Sequence, residues 1–250
     1  MEFVGALIAG IFVGSVLGFI GAGGAMLSVP ILLYLFHFDP KSATTAALAV
    51  VFIAALSGAI PKARSGQILY KEALVIVGIG SVTNLGFASI AFKLNDSFIK
   101  TGFALTLCVA ASSMLVNPQY RQERKMSWLT LILISLTIGT MTGIFGIGGG
   151  FLAIPVLVLF FGTPQSKASG TSLLIISFNS LISLLGHHSL WKTVTWHIPL
   201  IMGIAAVITA QIASHFADRT PTRILRVSFA LLLFIVSGIT ILETWLFKTL

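Results

Sequence analysis

The stretch Thr142–Pro155, T-G-I-F-G-I-G-G-G-F-L-A-I-P, indicates how the whole chain is organised. Its closely spaced glycines interrupt an apolar run in which an ordinary helix would otherwise continue. A second stretch of the same kind, L-G-F-I-G-A-G-G-A-M-L-S-V-P, occupies Leu17–Pro30. The two lie 125 positions apart, as the equivalent glycines Gly143 and Gly18 show (143 − 18 = 125). Two copies of one glycine-rich break indicate an internal duplication.

Identical residues recur at this offset well beyond the breaks. Such pairs include Gly14/Gly139, Gly21/Gly146, Leu27/Leu152, Pro30/Pro155, Ala43/Ala168 and Leu48/Leu173. A shift of one residue then aligns Tyr70 with Trp196 and Phe103 with Phe229. The markedly polar connector Asn117–Ser127 separates the copies. We therefore expect a first membrane repeat at residues 1–116, a connector at 117–127 and a second membrane repeat at 128–250.

The composition places the chain in a membrane. Hydrophobic residues make up 56% of its 250 residues, charged residues only 9%, and the mean hydropathy is +1.03. Because a soluble domain carries about a quarter charged residues, this chain has too few polar groups to cover its own surface. Lipid must cover it, so the composition predicts an all-α polytopic membrane protein. The retained first helix begins near Phe3, since no basic n-region or cleavage site marks a signal peptide.

The net charge of +8 does not indicate nucleic-acid binding. The basic residues fall at the ends of apolar segments, where anionic lipid headgroups attract them, rather than on one face. The expected partners are membrane lipid and a small anionic substrate, with no nucleic acid, and the oligomeric state stays open. The single Cys108 excludes an internal disulfide and is expected to be a small apolar residue of a helix.

Ten apolar segments can be recognised, five in each half. Eight are long enough to span a hydrocarbon core of about 30 Å. The other two, Ala25–Phe38 and Gly150–Gly162, follow the glycine-rich breaks and reach only about 20 Å at ~1.5 Å per residue. The fold expected is thus eight long helices plus two short broken helices, in two five-segment repeats.

An odd number of crossings in each half would invert one repeat relative to the other, as in many secondary transporters. If all ten segments cross, alternate loops carry ten Lys and Arg residues on one side and five on the other. If each break only kinks one crossing, the tally is eight against seven. The ten-crossing arrangement has the clearer bias and places both termini outside.

The glycine-rich breaks are candidates for an anion site near the membrane midplane. Non-helical backbone at membrane depth survives only within protein or beside water. The first N–H groups of the helices after the breaks have no intrahelical partner and lie at the positive end of the helix dipole. Close packing of helices is the alternative, and it certainly applies to Gly10, Gly14 and Gly18, which are spaced four apart.

Hydroxyl residues at the starts of the third and eighth helices form the second polar group. Thr44 and Thr45 in the first half, and Thr171 and Ser172 in the second, would line the same cavity or would cap helices and bond to backbone carbonyls. Asn84, Asn179 and Gln211 lie within apolar segments, where hydrogen bonding between helices is the expected role.

Charged side chains are expected only near segment ends, with none buried. Proton relays usually contain such a buried group, so either the substrate carries its own proton or transport is passive. No cofactor or metal is expected, since His187, His188 and His197 lack a third ligand at metal spacing. No catalytic triad is apparent, so the chain is not expected to be an enzyme.

The motif G-x-x-G-x-G-G-G-F-L-x-x-P at Gly143–Pro155, with A-S-G-T-S-L at Ala168–Leu173, resembles the TauE/SafE family of sulfite and organosulfonate exporters. G-F-I-G-A-G-G-A-M-L-S-V-P at Gly18–Pro30 adds to the resemblance, which covers essentially the whole chain. The resemblance implies a multi-pass permease for small sulfur-containing anions in the bacterial inner membrane. In the first half, Ala25 replaces the third glycine and Ala46-Ala47 replace Thr-Ser, so a symmetric site is not expected.

The sequence thus predicts an anion transporter whose substrate is held by backbone N–H groups and hydroxyls. An anion channel is the alternative, followed by a non-transporting membrane scaffold. The predicted substrate-binding residues are Gly21, Gly23, Gly24, Ala25, Thr44, Thr45, Gly146, Gly148, Gly149, Gly150, Phe151, Thr171 and Ser172.

Overall fold

The chain is a bundle of α-helices in a computed structural model that describes residues 2–91, 96–115, 127–145, 150–217 and 219–245. This confirms the predicted all-α fold. The helices are α1 Glu2–Ile20, α2 Gly24–Pro30, α3 Pro40–Arg64, α4 Tyr70–Ala91, α5 Asp96–Leu115, α6 Trp128–Phe145, α7 Gly150–Phe161, α8 Gln165–Gly186, α9 His197–Ala217 and α10 Thr222–Trp245.

Helix length separates the elements into the two predicted groups. Helix α2 has 7 residues and continues as a π-helical turn of 5 residues at Ile31–Leu35, while α7 has 12 residues. The remaining helices have 18 to 25 residues. Within the described segments, five helices (α1, α3, α8, α9 and α10) combine the length and the apolar composition needed to cross a membrane. The chain is a multi-pass membrane protein.

Lipid-facing surfaces are visible as exposed apolar stripes. On α9, Leu200, Ile204, Ile208 and Ile212 recur every fourth residue and are 53% to 62% exposed. Residues four apart lie on one face of a helix, so this stripe forms a continuous apolar surface. Such a surface would be unfavourable in water and is suited to contact with lipid acyl chains.

The first helix of each half packs against the fourth helix of the other half. A Cβ at Gly14 of α1 would meet the Ala206 carbonyl and Thr209 Oγ1 of α9. A Cβ at Gly139 of α6 would meet the Gly80 carbonyl and Thr83 Oγ1 of α4. These are the same contacts at the offsets seen in the sequence (139 − 14 = 125; 206 − 80 = 126; 209 − 83 = 126). Close approach of backbones explains why glycine is needed at both places.

Equivalent helices that touch each other run antiparallel. Along the α3–α8 pair, the contacts join Thr45 to His187, Gly58 to Leu173 and Lys62 to Gly170. Residue numbers rise along one helix and fall along the other. Two equivalent helices with opposite directions are what an inverted duplication requires. The inverted repeat stays a prediction, and these contacts support it.

Helix α3 is longer than the apolar segment that predicted it. The apolar segment Ser42–Ile60 predicted this helix and ends before a proline and two basic residues, but the helix continues through Pro61 to Arg64. Its last turn packs on α8, where Gly170 leaves room for the side chain of Lys62. Tertiary packing therefore extends the helix past the residues that would otherwise end it.

Candidate functional site

The first glycine-rich break is a tight turn that lies against α8. Gly21 and Gly23 adopt φ angles of +82° and +91°, a region that L side chains rarely adopt. Helix α2 begins immediately afterwards at Gly24, with Gly23 as its N-cap. A Cβ at Gly21 would come within 2.7 Å of both Cα and Cβ of Ser169. Glycine is therefore required at Gly21 for two reasons, its backbone conformation and this contact.

The second break lies largely outside the described residues, which include none of Gly146, Gly148 and Gly149. Helix α7 begins at Gly150, so Phe151 occupies its second position. Ala25 is likewise the second residue of α2. The anion-binding role of both breaks stays a prediction.

The start of α8 receives the segment that joins α3 to α4. A Cβ at Gly170 would lie 3.0 Å from Lys62 Cβ and would meet the carbonyl oxygen of Gln67. One residue further on, Thr171 Oγ1 accepts a hydrogen bond from the Leu69 backbone N–H at 3.0 Å. Small and hydroxyl side chains at the start of α8 thus allow the connecting segment to pack directly on the helix.

The predicted hydroxyl donors occupy different ends of the bundle. Thr171 donates its own hydrogen to the Lys167 carbonyl at 2.7 Å, near the start of α8. Thr45 donates to the Lys41 carbonyl at 2.8 Å and lies 3.0 Å from Nδ1 of His187, just beyond the end of α8. The axial distance along α8 from Thr171 to His187 is about 24 Å, at ~1.5 Å per residue. The structure therefore does not bring Thr45 and Thr171 to one place.

Both threonines use their hydroxyls within the protein, as the alternative interpretation anticipated. Because the Thr45 hydrogen is donated to Lys41, the Nδ1–H of His187 must be the donor in the other bond. Ser172 is fully buried, while Thr44 is half-buried. Their assignment to substrate binding stays a prediction.

Lys62 corrects the expectation that no charged side chain is buried. Its side chain is 1% exposed, and within the described ranges it is the one charged residue in the buried class. From the sequence it looked like one of the loop cations near a segment end. The extension of α3 to Arg64 and the packing on Gly170 bury it instead.

Polar side chains without partners surround the same region. Ser169 is 4% exposed and Gln165 is 7% exposed. Neither Ser169 Oγ nor either side-chain polar atom of Gln165 has a hydrogen-bond partner, and the same holds for Gln67 Oε1. Buried polar atoms are normally satisfied, so such a group points to water or a ligand. We refer to Gly21, Lys62, Gln67, Gln165 and Ser169 as the Ser169 site.

The Ser169 site differs from the expected midplane site in position and in composition. Ser169 lies four residues into α8, about 6 Å from its start at ~1.5 Å per residue, so the contact is near one end of the bundle. Lys62, Gln67, Gln165 and Ser169 were not predicted as ligands. One signal was available for Ser169, since it aligns with Thr44 at the common offset (169 − 44 = 125).

The internal amides behave in different ways. Asn84 is 8% and Asn179 4% exposed, and Asn179 Oδ1 has no partner. Gln211 is exposed and lines an open cavity of about 680 Å³ with Arg64 and His215. As to metals, the described part of the chain brings no three His, Cys, Asp or Glu side chains close enough to hold an ion.

Comparison with known proteins identifies the family. The sequence profile of the family described as "Sulfite exporter TauE/SafE" matches residues 6–240. The chain belongs to this family. A "Probable membrane transporter protein" of Xylella fastidiosa (strain Temecula1) is 26% identical over 248 residues, covering 95% of this chain and 94% of the relative. The "Probable membrane transporter protein YunE" of Bacillus subtilis is 25% identical over 215 residues, covering 75% and 78%.

Membership of this family and the helical architecture together make the TauE/SafE chain a membrane transporter with several crossings. Its place is the cell membrane, which in a bacterium is the inner membrane.

Proposed function

We propose that this TauE/SafE protein transports small anions, and that the anions are sulfur oxyanions such as sulfite or organosulfonates. Two lines of support are independent of each other. The family description names sulfite. The Ser169 site places buried, unpartnered polar atoms of Ser169 and Gln165 near the Gly21 turn, and the buried Lys62 packs on the neighbouring Gly170.

The observation that carries the proposal is the contact of the Gly21 turn with the buried Ser169, whose neighbour Gly170 packs against Lys62. A sulfur oxyanion has several oxygen atoms that accept hydrogen bonds, so it is suited to hydroxyl and amide donors. The Gly21 N–H already donates to the Leu17 carbonyl at 2.8 Å, so the further backbone donors in this proposal are the N–H groups of Ala22, Gly23 and Gly24. An anion would accept hydrogen bonds from the Ser169 hydroxyl and from Gln165 Nε2, two donors that have no partner within the protein.

Alternating access is the proposed mechanism. Two pairs of helices join the halves, α1 with α9 and α6 with α4, and in each pair the backbones approach closely. Each pair is therefore suited to move as one rigid unit. Rocking of such units would open the Ser169 site to one side of the membrane and then to the other.

The test is uptake of labelled sulfite, organosulfonates and carboxylates by proteoliposomes that contain the purified protein. We expect saturable uptake of the sulfur oxyanions, with Ser169→Ala raising the half-saturating concentration about tenfold or more, since a hydrogen bond to a charged group is worth about 1.5–3 kcal/mol. Ser177→Ala is the matched control, because Ser177 is also buried in α8 but donates to the Leu174 carbonyl of its own helix.

Gly148→Val and Gly149→Val test the second glycine-rich break in the same assay. Uptake is expected to be lost in both, because valine would block close approach to the backbone N–H groups. Wild-type uptake in these variants would remove the second break from the site. Uptake of no sulfur oxyanion by the wild-type protein would overturn the proposed substrate class.

A further inference from the structure

The polar residues of α8 divide according to the face of the helix on which they lie. Of the seven buried polar residues of α8, five fall within an arc of about 100° at about 100° per residue: Gln165, Ser169, Ser172, Asn179 and Ser180. We call these five residues the α8 polar arc. Four of them, all except Ser172, have at least one buried polar atom without a partner. The arc therefore runs from the Ser169 site past the middle of the helix.

The two buried polar residues of α8 outside the arc, Thr171 and Ser177, are satisfied locally. Thr171 donates to the Lys167 carbonyl at 2.7 Å, and Ser177 donates to the Leu174 carbonyl at 3.2 Å. Serine and threonine in helices commonly bond in this way to the preceding turn. Burial of a hydroxyl in this helix thus does not by itself leave it without a partner. The buried polar atoms of α8 that have no partner therefore all lie on one face of the helix, the α8 polar arc.

The duplicated half provides an internal control for the inner part of the arc. At the common offset, Asn179 and Ser180 are equivalent to Ala54 and Ala55 of α3 (179 − 54 = 125; 180 − 55 = 125). Both alanines are 0% exposed, so packing at these equivalent positions is complete without a polar group. Burying an amide or hydroxyl without a hydrogen bond is unfavourable, because the group loses its hydrogen bonds to water. Packing therefore does not account for Asn179 and Ser180.

We propose that the α8 polar arc lines the path of the anion across the bundle, with Asn179 and Ser180 forming a second binding position beyond the Ser169 site. The proposal rests on the proposed function and extends it to residues of one helix. Hydroxyls and the amide donate hydrogen bonds to a small oxyanion and to the water that accompanies it. Rotation of the Asn179 amide by 180° presents its N–H donors in place of Oδ1. Helix α3 has Ala54 and Ala55 at the equivalent positions, so only one of the two halves provides polar groups there.

Cysteine labelling tests the path without requiring transport. In a Cys108→Ser background, which removes the one native cysteine, Ser169→Cys and Ser180→Cys place a thiol on the arc and Ser177→Cys places one off it. The probe is methanethiosulfonate ethylsulfonate, an anionic reagent that does not cross lipid, applied to membranes open to both sides. We expect at least tenfold faster labelling at positions 169 and 180 than at 177, and slower labelling when an unreactive organosulfonate is present.

The outcomes separate this inference from the function on which it rests. Labelling at 169 and 180 no faster than at 177 overturns the path, even if the wild-type protein transports anions. Fast labelling on the arc without protection by any organosulfonate keeps the water-filled path and counts against the proposed substrate class. Serine and cysteine are similar in size, and gel filtration selects folded protein. If one arc variant misfolds, the other decides the outcome.

Discussion

At the scale of single residues, Gly21 and Lys62 show what sequence reasoning can and cannot provide. The sequence alone could predict that glycine is needed at Gly21, because a glycine-rich break is unusual in an apolar run, whatever it packs against. Its contact with Ser169 could not, since this depends on how the end of α1 meets α8. Lys62 was misjudged for the same reason: its burial follows from the docking of α3 on Gly170 rather than from its neighbours in sequence.

Gly21→Ala is expected to destabilise the protein far more than Gly66→Ala. Both glycines have positive φ, +82° and +68°, so both alanines adopt an unfavourable backbone conformation at a cost of about 1–2 kcal/mol. Only the new Cβ at Gly21 would collide with Ser169, whereas no atom lies within 4 Å of one at Gly66. Thermal unfolding in detergent measures the difference. An equal decrease of the unfolding temperature in the two variants would contradict the contact with Ser169.

The stability of the fold should decrease as the pH falls below about 6.5. Burial lowers the pKa of His187, just beyond α8, from its ordinary value of 6.5. The unfolded chain then binds the proton at a higher pH than the folded chain, so the stability present above pH 6.5 is lost as the pH falls towards the folded pKa. His187→Gln keeps a donor for Thr45 and should reduce this loss. Thermal midpoints between pH 5 and pH 8 that fall equally in both proteins would exclude the effect.

At the scale of elements, the apolar segments predicted every helix of the structure, and their ends agreed within a few residues at most termini. The prediction followed from length and composition, which lipid constrains strongly. The end of α3 is the exception that affects the site. Packing on α8 extends this helix beyond Pro61 and the adjacent charged residues, where the apolar segment ends. Packing partners of the helices were not predicted from the sequence, because small residues spaced four apart show that a helix packs closely but not with which neighbour.

The two equivalent glycine contacts should be equally intolerant of large side chains. In Gly14→Leu the new side chain meets the Ala206 carbonyl, and in Gly139→Leu it meets the Gly80 carbonyl. Overpacking of this kind costs about 1–3 kcal/mol or more. Gly78→Leu in α4 is the control, since no atom lies within 4 Å of a Cβ there. The fraction of monodisperse protein after extraction measures folding, and normal yields of the first two variants would contradict the described packing.

At the scale of the whole molecule, the duplication recognised in the sequence recurs in the contacts between helices. The contact of Gly14 with Ala206 is equivalent to the contact of Gly139 with Gly80, at offsets of 125 and 126. The equivalent helices α3 and α8 run antiparallel. The inequality of the halves was only partly predictable. Ala46-Ala47 indicated it near the start of α3, whereas the alanines equivalent to Asn179 and Ser180 become informative only because these two residues are buried and have unpartnered atoms.

The equivalent loops after α3 and α8 are expected to lie on opposite sides of the membrane. Gly66→Cys and Ser189→Cys place thiols at exposed positions of these loops in the Cys108→Ser background. If the repeats are inverted, an impermeant thiol reagent labels one variant in right-side-out vesicles and the other in inside-out vesicles. The positive charges around the first loop predict that position 66 faces the cytoplasm. Labelling of both variants from the same side would exclude the inverted arrangement.

The central claim is that this TauE/SafE protein carries small sulfur oxyanions by alternating access, and counterflow tests it most directly. Proteoliposomes are loaded with unlabelled sulfite and diluted into a trace of labelled sulfite. A carrier whose site faces one side at a time produces a transient accumulation of label above its equilibrium level, and Ser169→Ala should reduce it. Entry that rises smoothly to equilibrium would indicate a channel. No entry of sulfite or any organosulfonate would contradict the proposed function itself.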